Sequence, residues 1–174
     1  MTSTTLILTD GPIIDPAGVA ANPQDCLLDI YEHAAEASAL WQSRRRRDRH
    51  RSEGEIRLRC QGAELLPFGA VDDVSALWCC LVNTVGQFLD TGHGVTDYPD
   101  QPLPVVLETV KRRMYFSADG QKVMVEPVPF LDSLLEEAQR FFAWAERHLA
   151  GPATDRDIVE LRERLPREPG GWQL

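Results

Sequence analysis

The sequence predicts an α+β fold, in which an antiparallel sheet of about five strands packs against amphipathic helices. Residues 104–126 alternate apolar and polar side chains around tight-turn residues, which predicts a meander of three strands. Segments 74–89 and 130–145 repeat apolar residues every three or four positions, which predicts helices with one apolar face. No strand is followed by a glycine-rich phosphate loop, so a nucleotide-binding α/β fold is excluded.

Turn residues delimit the strands of the meander. The dipeptide Asp119-Gly120 supplies the positive backbone angles of a tight hairpin, and a second turn is expected near Lys111-Arg112. Pro127 and Pro129 end the sheet, because proline cannot donate to a central ladder. The helix beyond them has acidic residues toward its start and basic residues toward its end, as the helix dipole favours.

Four elements are predicted before the 74–89 helix: a short strand or extended arm over Thr4–Thr9, a helix from Asn22-Pro23 to Trp41, a strand over Glu55–Cys60 and an edge strand over 64–71. Asparagine followed by proline is a favourable helix start, and alternating apolar residues indicate the strands. The pair Asp72-Asp73 then caps the 74–89 helix, and Gly92 ends it. Trp78 is expected in the core, and residues 91–102 are expected to form a polar loop.

Residues 1–152 are predicted to form one α+β domain, and residues 153–174 a C-terminal helix and tail. A chain of 174 residues can bury a core without disulfides or metal. The four cysteines show no paired spacing, so we expect buried thiols in a reducing compartment. No apolar run is long enough to span a bilayer and the N-terminus lacks a basic signal segment, which favours a cytoplasmic protein without membrane contact.

The formal net charge of −9 bears on the partners that the chain can bind. An acidic protein has little general affinity for nucleic acid, and its field attracts basic surfaces. The charge therefore favours either plain solubility or a basic protein partner.

The arginine run 44–51 has the opposite sign. Arg44, Arg45, Arg46 and Arg47 are candidate phosphate-binding residues, because guanidinium groups match phosphate oxygens. The alternative, which we favour, is that they form the solvated end of a helix, where cations suit the dipole. Contact with nucleic acid is expected only if it uses this run.

Segment 90–100 holds the densest cluster of reactive side chains. Its candidate partner-binding residues are Asp90, His93, Asp97 and Asp100. Carboxylates and a histidine in one loop are also suited to a divalent cation or to acid–base chemistry. This segment is therefore a candidate partner-binding surface and, alternatively, a candidate metal-binding or hydrolytic centre.

Recognised catalytic motifs are absent from the sequence. There is no HExxH, no CxxC pair and no serine elbow, so we assign no catalytic residue, metal or cofactor and expect the protein not to be an enzyme. We expect a small acidic protein-binding module of the immunity-protein or antitoxin type, as found in bacteria, that inhibits a basic partner. The alternatives are a metal-binding or hydrolytic domain centred on 90–100, and a phosphate or nucleic-acid binder that uses 44–51.

Overall fold

Two antiparallel sheets and four helices make up the fold that a computed structural model describes for residues 1–9, 26–47, 53–149 and 155–166. The strands within these ranges are β1 (Thr2–Leu8), β2 (Leu27–Asp29), β3 (Glu53–Cys60), β4 (Ala63–Glu64), β5 (Asp72–Asp73), β6 (His93–Asp97), β7 (Pro104–Val110), β8 (Arg113–Ala118) and β9 (Gln121–Val125). The helices are α1 (Ala34–Arg47), α2 (Val74–Thr91), α3 (Pro127–Leu149) and α4 (Asp155–Glu163). The α+β class is confirmed, with the strands divided between two sheets.

The N-terminal sheet has the order β2-β1-β3-β4, and β5 pairs with β3. The predicted strands Thr4–Thr9 and Glu55–Cys60 are confirmed as β1 and β3. The edge strand predicted over 64–71 is wrong, because within this range only Glu64, in β4, pairs with β3, and β5 pairs with β3 just beyond the end of the range. Gly69, with φ of 78°, interrupts the extended chain between them.

The helix predicted from Asn22-Pro23 is also wrong over its described first part. Residues 27–29 form β2, which pairs with β1, and α1 begins only at Ala34. The Asp29 carboxylate accepts hydrogen bonds from the backbone nitrogens of Tyr31 at 2.7 Å and Glu32 at 3.2 Å, so a turn separates the strand from α1. Asn22 and Pro23 lie outside the described residues.

The meander sheet has the order β6-β7-β8-β9 and confirms the predicted meander over 104–126. Both hairpins have two-residue turns with positive φ, at Lys111-Arg112 (50° and 64°) and Asp119-Gly120 (48° and 74°). The expected loop 91–102 is wrong, because His93–Asp97 forms β6 and pairs with β7. Two glycines and two aspartates in this segment suggest a loop, yet tertiary pairing makes it a strand.

Helices α2 and α3 connect the two sheets through the core. Trp78 on α2 is fully buried, as predicted, and its ring lies 6.0 Å from that of Phe141 on α3. Its Nε1–H donates to Thr5 Oγ1 at 3.1 Å, which ties α2 to β1. At the other end of α3, Phe130 lies 5.6 Å from Phe116 of the meander sheet. These contacts form one continuous core.

The ends of α2 and α3 follow the sequence signals. Asp73 caps α2 by accepting a hydrogen bond from Ala76 N at 2.9 Å, and Gly92, with φ of 76°, ends it. The third helix begins at Pro127 itself, because proline at the first helical position loses only an unpaired N–H. Among the helices of the described ranges, none has the length and hydropathy needed to cross a membrane.

The expected burial of the cysteines is correct only for Cys60. Cys26 and Cys80 are half-buried and Cys79 is exposed, and all four thiols are free. Cys79 follows the buried Trp78 on α2, and one helical step of about 100° turns its side chain away from the core. All four cysteines lie within the described residues.

Two carboxyl groups are buried at the N-terminal sheet. Glu55 on β3 is 2% exposed and Asp72 on β5 is 3% exposed. Removal from water raises the pKa of both carboxyls, from ordinary values of 4.5 and 3.8; the guanidinium of Arg57 and backbone N–H donors oppose the shift only in part. The folded protein therefore binds these protons more tightly than the unfolded chain does.

This burial gives a testable pH dependence of the free energy of unfolding. A raised pKa contributes stability that is complete below the ordinary carboxyl value and is lost as the pH rises through the folded-state value. We expect Glu55→Gln to reduce the fall in unfolding free energy above pH 4.5, measured by urea denaturation across the pH range. The exposed control Glu136→Gln should follow the parent curve. Parallel curves for Glu55→Gln and the parent would contradict the assignment.

Candidate protein-binding site

The four predicted partner-binding residues occupy three different places. Asp90 lies in the last turn of α2, where its carboxylate pairs with Arg164. His93 and Asp97 are exposed on β6. Asp100 follows β6, and its backbone nitrogen donates to the Asp72 carboxylate at 3.2 Å. Segment 90–100 is thus a helix end, a strand and a turn, and it does not form one site.

The metal-binding alternative loses its geometric basis here. His93 and Asp97 are four residues apart on an extended strand, so their Cα atoms are about 13 Å apart. At that distance the two side chains cannot bind one ion. Within the ranges that the structure describes, no group of three His, Cys, Asp or Glu side chains is placed to hold a metal. The hydrolytic alternative depends on the same residues and has no other described group in its favour.

The first four residues of the arginine run belong to α1. Residues Arg44–Arg47 form the last turn of α1, and Arg44 is half-buried. The side chains of Arg45, Arg46 and Arg47, and the run from 48 to 51, lie outside the described residues. Both the helix-end interpretation and phosphate contact by this run stay predictions.

A groove between α2 and α4 gathers acidic side chains around an apolar floor. Its volume is about 560 Å³. Its lining residues are Cys79, Val82, Asn83, Gly86, Gln87 and Asp90 of α2, Phe142 of α3, and Asp157, Glu160, Leu161 and Arg164 of the C-terminal segment. The floor is apolar and the polar residues surround it, so the groove can accept a partner side chain that is apolar along its stem and charged at its tip.

The position of α4 sets the width of the groove. Ile158 is fully buried, and Leu165 is 8% exposed in the same core as α2 and α3. Arg162 pairs with Asp132 of α3 at 2.9 Å, and Arg164 pairs with Asp90 of α2. Apolar burial and two ion pairs thus hold α4 against both neighbouring helices.

The groove is acidic, and its thiol is protonated at neutral pH. Among the described lining residues, Asp90, Asp157 and Glu160 supply carboxylates and Arg164 supplies a guanidinium, which pairs with Asp90. Partial removal from water, and then the Asp73 carboxylate, raise the pKa of the Cys79 thiol, so the thiol stays protonated at neutral pH. A protonated thiol is a poor nucleophile, so at neutral pH Cys79 presents an uncharged side chain to the groove.

Sequence reasoning finds Asp90 in this groove and misses its other polar residues. Asn83, Gln87 and Asp90 recur at intervals of four and three, which makes a polar stripe on an otherwise apolar helix. Asp157 and Glu160 are likewise three apart, beside the apolar face of α4. These two stripes are a usable signal, but only the fold shows that they face one another.

Comparison of the chain with protein-family models, with curated proteins and with solved structures finds no match. We therefore infer the function from the groove and from the chemistry of its residues.

Proposed function

We propose that this chain is a protein-binding module that inhibits a basic partner, in the manner of bacterial immunity proteins and antitoxins. The acidic groove between α2 and α4 is the observation on which the proposal depends. Lysine and arginine side chains from a partner suit it, because their aliphatic stems match the apolar floor and their charged ends match the carboxylates. The overall charge of −9 adds long-range attraction to a basic surface.

The proposal favours binding over catalysis for a chemical reason. The exposed thiol of the groove has a raised pKa, and the described lining residues include no histidine to activate it. A binding role requires neither group. Four free thiols also suit a reducing compartment, so we place the protein in the cytoplasm.

Neutralising the groove should weaken partner binding. For the double variant Asp157→Asn with Glu160→Gln we expect affinity about tenfold lower, because charges at the rim of an interface control encounter and register. The measurement is co-purification of the chain from its native host, followed by titration with the recovered partner at two salt concentrations. Glu136→Gln with Glu146→Gln, which removes two exposed carboxylates of α3, is the matched control and should bind like the parent.

The exposed thiol gives a second readout at the groove. Cys79 lines it, so a bound partner should slow maleimide labelling of Cys79. A partner that binds without protecting Cys79, or that loses affinity equally in the α3 control, would place the interface elsewhere. The inhibitor function would be contradicted if the chain purifies alone and does not rescue cells from the co-expressed toxic product of a neighbouring gene.

A further inference from the structure

The face of the N-terminal sheet that carries Arg57 and Arg59 has a second cavity. It has a volume of about 210 Å³ and is lined by Thr2, Ser3, Thr4, Leu6, Arg57 and Arg59. Thr4 lies opposite Arg57 and Thr2 opposite Arg59 in the register of β1 and β3. Because side chains alternate along a strand, these four residues share one face of the sheet. The cavity therefore brings two hydroxyl groups and two guanidinium groups together.

The guanidinium of Arg57 is held in place by its neighbours. Its Nε donates to Glu55 Oε1 at 3.2 Å, and its planar group lies 4.5 Å from the centre of the Phe68 ring. Its Nη2 is buried and has no hydrogen-bond acceptor among the described residues. A buried guanidinium N–H without an acceptor is costly, so this nitrogen favours a ligand that supplies an oxygen.

Arg59 is the second fixed cation of the cavity. It pairs through Nε with the carboxylate of Glu64 on β4, and 65% of its side chain is exposed. Arg57 and Arg59 are two residues apart on β3, so their Cα atoms are about 7 Å apart. A carboxylate directs its two oxygens in one plane, which matches the fork of a single guanidinium. A phosphate group directs its oxygens in three directions, so it can accept hydrogen bonds from both arginines and from a hydroxyl group.

We propose that this cavity binds a phosphate group, carried either as free phosphate or as a phosphomonoester. The inference is independent of the acidic groove, since no residue lines both cavities. It also differs from phosphate binding by the arginine run of α1, which contributes no lining residue here. The available volume admits one phosphate group with a few waters, at about 30 Å³ per water.

The test is a titration of the full chain followed through the arginine Nε–H resonances in NMR spectra. Inorganic phosphate, glycerol 1-phosphate and acetate are added separately at equal ionic strength. We expect both phosphates to shift the Arg57 and Arg59 signals in a saturable way and acetate to leave them unchanged. A response to only one of the phosphates still supports the site and identifies the source of the group. Phosphate shifts no larger than those of acetate would overturn it.

Three variants locate the binding. Arg59→Gln and Thr4→Val should each weaken phosphate binding, by about tenfold for the arginine, because charge-assisted hydrogen bonds are the strong ones. Arg59 is mostly exposed and Thr4→Val changes no charge, so both variants should fold. Arg113→Gln, which removes an exposed arginine of the meander sheet, should bind like the parent. Equal weakening in all three, or none in the first two, would overturn the assignment.

Discussion

Gly94→Ala should destabilise the protein by at least about 3 kcal/mol, the upper range for overpacking a buried site. A Cβ at this position would lie 2.1 Å from the carbonyl oxygen of Thr84 and 3.0 Å from the backbone nitrogen of Phe88. Both contacts are with the backbone of α2, which cannot rotate away as a side chain can. Strand β6 would have to move off the helix and lose its packing.

The measurement for Gly94→Ala is urea denaturation, and a second glycine on α2 provides the control. At Gly86 an added Cβ would lie 3.7 Å from Leu161 Cδ2, an ordinary contact. Alanine also favours the helix by about 1 kcal/mol over glycine, so Gly86→Ala should be neutral or stabilising. Similar unfolding free energies for the two variants would contradict the tight approach of β6 to α2.

Trp78→Ala is expected to cost about 3–5 kcal/mol, as other buried tryptophans and phenylalanines do on truncation. The side chain is fully buried, packs against Phe141 and donates to Thr5, so its removal opens a cavity between α2, α3 and β1. It also leaves the hydroxyl of Thr5, itself buried, without its indole donor.

Circular dichroism during urea denaturation measures this loss without depending on tryptophan fluorescence. Trp78→Phe keeps most of the ring and should cost less than the alanine variant. Phe68→Ala removes an aromatic ring that is 47% exposed and should cost less than about 1 kcal/mol, the scale of its contact with Arg57. A Trp78→Ala variant as stable as Phe68→Ala would exclude Trp78 from the centre of the core.

The sequence is a good guide wherever a local pattern decides the structure. The turn at Asp119-Gly120, the cap at Asp73 and the stripe of α2 are all visible in residue types and spacing. Residues 27–29 and 93–97 are different, because their pairing with β1 and β7 depends on residues distant in sequence. In both places composition alone favours another structure, a helix in the first and a loop in the second.

The candidate groove shows the same limit at the level of function. Sequence proximity groups Asp90 with His93 and Asp97, although the end of α2 separates them. The fold instead places Asp90 beside Arg164, 74 positions later in the chain. The cluster of reactive residue types in segment 90–100 therefore identifies only Asp90 among the groove residues. The other two acidic members, Asp157 and Glu160, come from α4, whose position only the tertiary structure shows.

One wall of the groove is α4, and this has a thermodynamic consequence for the proposed interaction. A molecule whose α4 is undocked has no groove, so the apparent affinity for the partner is the intrinsic affinity multiplied by the docked fraction. By linkage, a bound partner stabilises the docked position to the same extent. The ion pair of Arg162 with Asp132, neither of which lines the groove, would thus tune affinity through this equilibrium, whereas Asp90 and Arg164 also line the groove.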